Sequence, residues 1–186
     1  MSLVELIAQA DARGLAASGL ACSDRCVPLL YEDDELLRPL WAHLADGSDW
    51  SESLEKTRAA LGAVDPGEDE AALLVRRMLE TAPAERSGEA LREWADACSL
   101  AALQVHRLLD PATEDTAPAA DAAEDRHGGT EETSSPLVAA ERRRQTVVLE
   151  LLAEHGVAGL RRALDVSIEG RRILQAVVSR RARSQG

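Results

Sequence analysis

Ala8, Ala12, Leu15, Gly19, Cys22 and Cys26 follow one another at alternating intervals of four and three residues. That spacing puts every member on one face of an α-helix. Leu91, Trp94, Cys98, Ala101, Val105 and Leu108 repeat the rule further along the chain. Composition points the same way. Ala, Leu, Glu and Arg dominate, Phe is absent, and there are one Tyr and three Trp, so few residues favour strands. The expected fold class is all-α: a helical bundle with a Leu, Val and Ala core and small residues that let helices approach closely. With 186 residues, the chain suffices for one domain with a substantial core, or one domain and a smaller module.

Breakers and caps divide the chain. Ser2 with Glu5 three residues on has the form of a capping box. Helix is expected from there to about Cys26, interrupted near Gly14 and stopped by Pro28. The acidic run at residues 32–35 suits a helix N-terminus ahead of Leu36, Leu37, Leu40, Trp41 and Leu44. Further helices are expected over about 51–63, 68–81 and 87–109, with Pro66, Pro83 and Pro111 in the breaks between and after them. Their short connections favour antiparallel neighbours. Residues 112–135 carry no hydrophobic residue but Ala, together with Pro118, Gly128, Gly129 and seven acids. Such a composition cannot bury enough surface to offset ordering entropy, so a disordered acidic linker is expected. Helix resumes with Ser135 as N-cap and Pro136 in the first turn, and closes at Gly156. A short helix over 157–164 and a last one capped by Ser167 and running to Ser179 are expected, then a frayed tail. The expected parts are thus an acidic helical bundle at 1–110, the linker at 111–135, and basic C-terminal helices at 136–186.

Charge follows the same division. The net charge of −12 is −11 over residues 1–110, −6 over 111–140 and +5 over 141–186. Any anionic partner is therefore to be sought at the C-terminal end. Of the 21 basic residues, Lys56 is the sole lysine, a bias typical of GC-rich bacterial genomes. The opening residues lack the basic start of a signal peptide, and no apolar run approaches 18 residues. Three cysteines fit a reducing cytoplasm. A bacterial cytoplasmic protein with no membrane partner is expected.

Cys22 and Cys26 form C-x-x-x-C, but four residues apart on a helix their Cβ atoms stand too far apart for a disulfide. For a zinc site, Cys98 and His106 are eight residues apart, roughly 12 Å along a helix, and cannot serve one ion. Core packing is the expected role of all three thiols. Glu52-x-x-Glu55 and Glu93-x-x-Asp96, with Glu89 beside them, resemble the E-x-x-E and E-x-x-D carboxylates of all-helical nucleotide pyrophosphohydrolases. That resemblance implies a magnesium-dependent nucleotide hydrolase, although the acidic face lies opposite the Trp94–Cys98 stripe and should face solvent. His43, His106 and His155 are scattered, and no Ser–His–Asp cluster, phosphate loop or G-x-S-x-G occurs. No catalytic residue, metal ligand or cofactor is expected.

The stretch 149–172, LELLAEHGVAGLRRALDVSIEGRR, resembles a bacterial helix-turn-helix at Leu160, Leu164, Val166 and Ser167. It departs where Arg171 occupies the slot for a buried Val and where Gly170 falls in the recognition helix. Arg161, Arg162, Arg171, Arg172, Arg180 and Arg181 are the candidate contacts to an anion or nucleic acid. No aromatic residue accompanies them, so base stacking is not available. The alternative is intramolecular: a basic segment packed on an acidic bundle. The leading functional expectation is a non-enzymatic interaction or regulatory protein that binds a protein partner or itself. A nucleic-acid-binding regulator comes second and the hydrolase third.

Overall fold

The computed structural model describes residues 1–111, Arg126 and residues 135–186. Among them the fold is all-helical, without strands. The elements are α1 (Leu3–Gln9), α2 (Ala12–Cys26), a 3-10 turn (Val27–Leu29), α3 (Arg38–Asp46), α4 (Ser51–Gly62), α5 (Glu70–Glu80) and α6 (Gly88–Leu109). Then follow α7 (Pro136–His155), a 3-10 turn (Gly156–Gly159) and α8 (Leu160–Ser184). The expected disordered linker lies outside the described residues apart from its ends and Arg126.

Local chemistry sets most boundaries. The capping box forms: Ser2 N donates to Glu5 Oε2 at 2.6 Å and Glu5 N to Ser2 Oγ at 3.3 Å. The first helical stretch breaks at Ala10, earlier than the Gly14 expectation, because Asp11 caps α2 by accepting from Gly14 N at 2.8 Å. Asp69 caps α5 and Ser135 caps α7 in the same way. Gly47, at φ 75°, ends α3 in the left-handed conformation that glycine adopts without strain.

α2 is the axis of the molecule. Every residue from Gly14 to Cys26 is buried, and α6, α8, α7, α3 and α5 all pack against it. The small-residue stripe thus underestimates it: the helix is enclosed on all sides, with Ser18, Ser23, Asp24 and Arg25 inside. Gly19 lets α6 approach; a Cβ there would sit 2.4 Å from the Trp94 ring. Trp94 in turn meets Trp50 edge to face at 6.0 Å and 88°, a favoured aromatic geometry.

The C-terminal helices belong to the same core. Val148, Leu149, Leu152, Leu160, Ala163 and Leu174 join one cluster with the residues of α2 and α6. The expected break between a short helix over 157–164 and a last helix capped by Ser167 is absent. Residues 160–184 form a single continuous helix, so Ser167 begins nothing. It is buried, and its hydroxyl donates to Ala163 O at 3.0 Å within the helix. The helix-turn-helix resemblance fails at this point, since the turn before its second helix is absent. Gly170, a weak residue in a helix interior, is there for packing: a Cβ on it would lie 2.4 Å from Arg25 Cδ.

Candidate functional site

Two features stand out, a sealed polar seam and an open apolar groove. The seam lies where α2 and α6 meet α7 and α8. Arg25 and Glu141, both 0% exposed, form a two-pronged pair, with Nε to Oε2 at 2.8 Å and Nη2 to Oε1 at 2.7 Å. Such a fork fixes both distance and orientation. Glu141 also accepts from Gln145 Nε2 at 2.9 Å. Gln145 exchanges two bonds with Ser99: it accepts the hydroxyl at 2.5 Å and donates to the carbonyl at 3.2 Å. His106 Nδ1 stands 2.7 Å from Ala102 O and its Nε2 3.5 Å from Glu141 Oε2.

Burial pushes the Glu141 carboxyl up, but the Arg25 charge and the hydrogen bonds from Arg25 and Gln145 outweigh it and hold the group below the usual carboxylate range. Burial drives His106 down, against the pull of Glu141 and with the help of Arg25 and Arg144, so the ring is held neutral. A neutral ring bonded to Ala102 O carries its proton on Nδ1. Beside the seam, Asp24 accepts from Trp41 Nε1 at 3.1 Å and pairs with Arg171 Nη1 at 2.5 Å. Burial raises the Asp24 carboxyl in spite of Arg171 and Trp41. Asp34, in the acidic run, pairs with Arg171 Nε at 3.6 Å and accepts from Gln175 at 2.9 Å. The run precedes α3 as a loop against α8 rather than forming a helix start.

The six candidate arginines therefore divide. Arg171 is buried and paired with Asp24. Arg161, Arg162, Arg172, Arg180 and Arg181 are exposed on α8. The cysteines are all free and buried. Burial pushes Cys22 up to about 12 and Cys26 and Cys98 well above the ordinary thiol value, so they stay protonated and are poor nucleophiles. Among the described residues no group of three or more His, Cys, Asp and Glu side chains is arranged to hold a metal ion. The hydrolase-like carboxylates are not brought together as a set. Glu52 pairs with Lys56 at 2.9 Å and Glu55 with Arg58 at 2.7 Å on α4, Asp96 pairs with Arg126, and Glu93 is exposed on α6.

A polar chain that sequence spacing did not reveal joins α3 to α4. His43 Nδ1 meets Ser48 Oγ at 2.6 Å, His43 Nε2 meets Ser53 Oγ at 2.9 Å, and Ser48 Oγ donates to Asp46. Because the Ser48 proton goes to Asp46, Ser48 Oγ accepts from His43 Nδ1, and His43 Nε2 in turn accepts from Ser53. The carboxylate bonds the serine rather than the imidazole, and the chain fastens the loop around Gly47. Hydrogen bonds from Ser48 lower the Asp46 carboxyl.

The groove lies between α5 and α6, a helical hairpin, and has a volume of about 370 Å³. Leu74 and Met78 form its α5 wall, Ala90, Ala97 and Ala101 its α6 wall, with Trp94 and Cys98 at its base. Arg77 on one wall and Glu93 on the other are exposed, and neither is in an ion pair among the described residues. The hairpin is held by side chains that satisfy carbonyls at the end of α5 and beyond it. Trp94 Nε1 donates to Met78 O at 2.7 Å, Arg58 Nε to Leu79 O at 3.1 Å, and Trp50 Nε1 to Pro83 O at 3.1 Å. The groove walls are thus preset.

No protein-family model, curated protein or solved structure matches this chain.

Proposed function

We propose that the chain is a non-enzymatic interaction protein that docks a partner on the α5–α6 groove. One contrast carries this reading. The polar groups that catalysis would draw on, Arg25, Glu141, Gln145, Ser99 and His106, are sealed in the core and satisfy one another. The preset concavity at the surface is lined by apolar and small side chains, with opposite charges at its rim. An apolar, Trp-based groove with a polar rim has the anatomy of a protein-binding surface. The absence of any long apolar helix among the described residues, the preference for Arg over Lys and the three free thiols support a bacterial cytoplasmic setting.

A photo-crosslinking residue at Ala97 tests the proposal. Expected is a discrete adduct of defined mass in cells, not formed from exposed Ala45 on α3. Magnesium-dependent turnover of a nucleotide by the purified chain, lost in Glu93→Gln, overturns it.

A second reading is supported by the end of α8. Residues 170–186 hold five arginines and no acid, and Arg172, Arg180, Arg181 and Arg183 are exposed. Contact with a nucleic-acid backbone through them predicts binding that falls steeply with salt. Arg180→Gln combined with Arg181→Gln should lower that salt slope by about two, one per lost phosphate contact. Binding of no DNA or RNA at low salt removes this reading.

A further inference from the structure

We propose that the partner seated on the α5–α6 groove is a second copy of this chain, related by a two-fold axis; the inference rests on the docking reading above. A two-fold interface is self-complementary, so one surface must carry both halves of every contact. This surface does. The hole is the groove over Trp94 and Cys98, floored and walled by apolar atoms. The knob is Leu73, 46% exposed, next to groove-lining Leu74 and bordering a second hollow that shares Leu74 and Arg77 with the first. A large apolar side chain standing out from the rim of an apolar groove supplies what the same groove on another copy accepts.

Charge gives the orientation. Arg77 sits on the α5 wall and Glu93 on the α6 wall, both exposed and neither in an ion pair among the described residues. About a two-fold axis, Arg77 of one copy faces Glu93 of the other, and the reverse pair forms at the same time. Both charges find partners in one step. Ala90, Ala97 and Ala101 keep the α6 wall low, so a neighbouring helix can approach closely. Other occupants fit less well. A small ligand of the groove's size is usually fixed by several convergent polar groups, and here the polar side chains stand at the rim. The face is no wider than one helical hairpin, which places the dimer in the small, reversible class.

The test uses the full chain and analytical ultracentrifugation from micromolar to near-millimolar concentration. Wild-type protein should pass from monomer to dimer across that range. Arg77→Glu and Glu93→Arg each create two like-charge contacts about the axis and should each weaken dimerisation about tenfold or more. Mixing the two variants restores both pairs. The introduced acid of one copy then faces the introduced arginine of the other, and the unchanged Glu93 of the first faces the unchanged Arg77 of the second. The mixture should therefore dimerise near the wild-type level although neither component does. Leu73→Asp, at an exposed position, should leave the helical spectrum unchanged and abolish the dimer. A wild-type chain that stays monomeric overturns the proposal. So does a dimer indifferent to both charge reversals, or one lost in each variant and not restored by mixing. The Ala97 crosslink separates this inference from the docking reading: an adduct of twice the chain mass supports a second copy, whereas another mass rejects the dimer and leaves docking standing.

Discussion

The seam and the groove invert the usual arrangement of a folded protein. The seam is polar and 0% exposed at the Arg25–Glu141 pair; the groove is apolar and open to solvent. Both are built on α6. Ser99 and His106 turn inward to the seam, while Ala97 and Ala101 turn outward to the groove. Their energetic logic differs. A buried ion pair gains little over an apolar pair of the same shape, because desolvation consumes most of the attraction. It does penalise every wrong arrangement, since either charge left alone inside the core is costly. The seam therefore reads as a register device that fixes how α7 and α8 sit on α2. In the groove the apolar walls already have their partners within the hairpin. What is unmet there is the contact with something outside.

The largest expected effect follows from that asymmetry. Glu141→Ala leaves Arg25 charged and enclosed, and should destabilise the fold by about 3–5 kcal/mol in urea unfolding. Arg25→Met combined with Glu141→Leu should recover most of that loss. A single-variant cost below about 1 kcal/mol, within the range of an exposed pair, would show that the seam opens to water. Next comes Gly19→Ala, whose Cβ meets the Trp94 ring at 2.4 Å. The indole is held by Met78 O and by Trp50 and has little room to retreat. Overpacking of this kind costs about 1–3 kcal/mol, which the shift in denaturation midpoint at constant slope measures.

Periodicity and caps make the bundle legible. Ser2, Ser135, Pro136 and Gly156 mark helix ends where the fold has them, and Leu91, Trp94, Cys98 and Val105 of the second stripe are buried on α6, while its Ala101 lines the groove. The same reasoning stops at α2. A stripe rule assumes one buried face, and polar Asp24 and Arg25 count as surface under that assumption. Their partners, Arg171 and Glu141, lie 147 and 116 residues away, and no local pattern encodes such a separation. The pairing within the seam is therefore invisible in the sequence, where Arg171 reads as one of six candidate anion contacts. A helix-breaking glycine, Gly170, is the available clue, because glycine within a helix signals close approach. The groove is half visible. Ala97 and Ala101 can be placed on α6, but its other wall depends on how α5 folds back.

The seam should also respond to acid. His106 is held below its ordinary value of 6.5, so on acidification the unfolded chain takes up a proton there before the folded chain does. Stability must fall as pH drops below about 6.5, by no more than about 1.4 kcal/mol per pH unit for one proton. Glu141, also held down, adds a further loss below the ordinary carboxylate range, as pH falls through its folded pKa. Asp24, pushed up, works in the opposite sense as pH falls from its raised folded pKa to its ordinary 3.8. The part of the limb below pH 6.5 that His106 supplies is the one to read. His106→Gln should flatten it and leave the carboxylate limb in place. A profile unchanged by that substitution would mean that the ring is solvated rather than sealed.

The smallest effect on stability belongs to the groove, and its smallness is what distinguishes the two regions. Ala97→Glu adds a charge at an exposed position of α6, where substitutions away from special contacts stay within about 0.5 kcal/mol. Glutamate is also a good helix former, so the helix loses little. If the groove exists for docking, this variant should unfold at nearly the wild-type urea midpoint while losing association. A fall in stability comparable to that of Gly19→Ala would mean that the Ala97 wall is already covered within the monomer. The groove would then be interior, like the seam, and the contrast between the two regions would disappear.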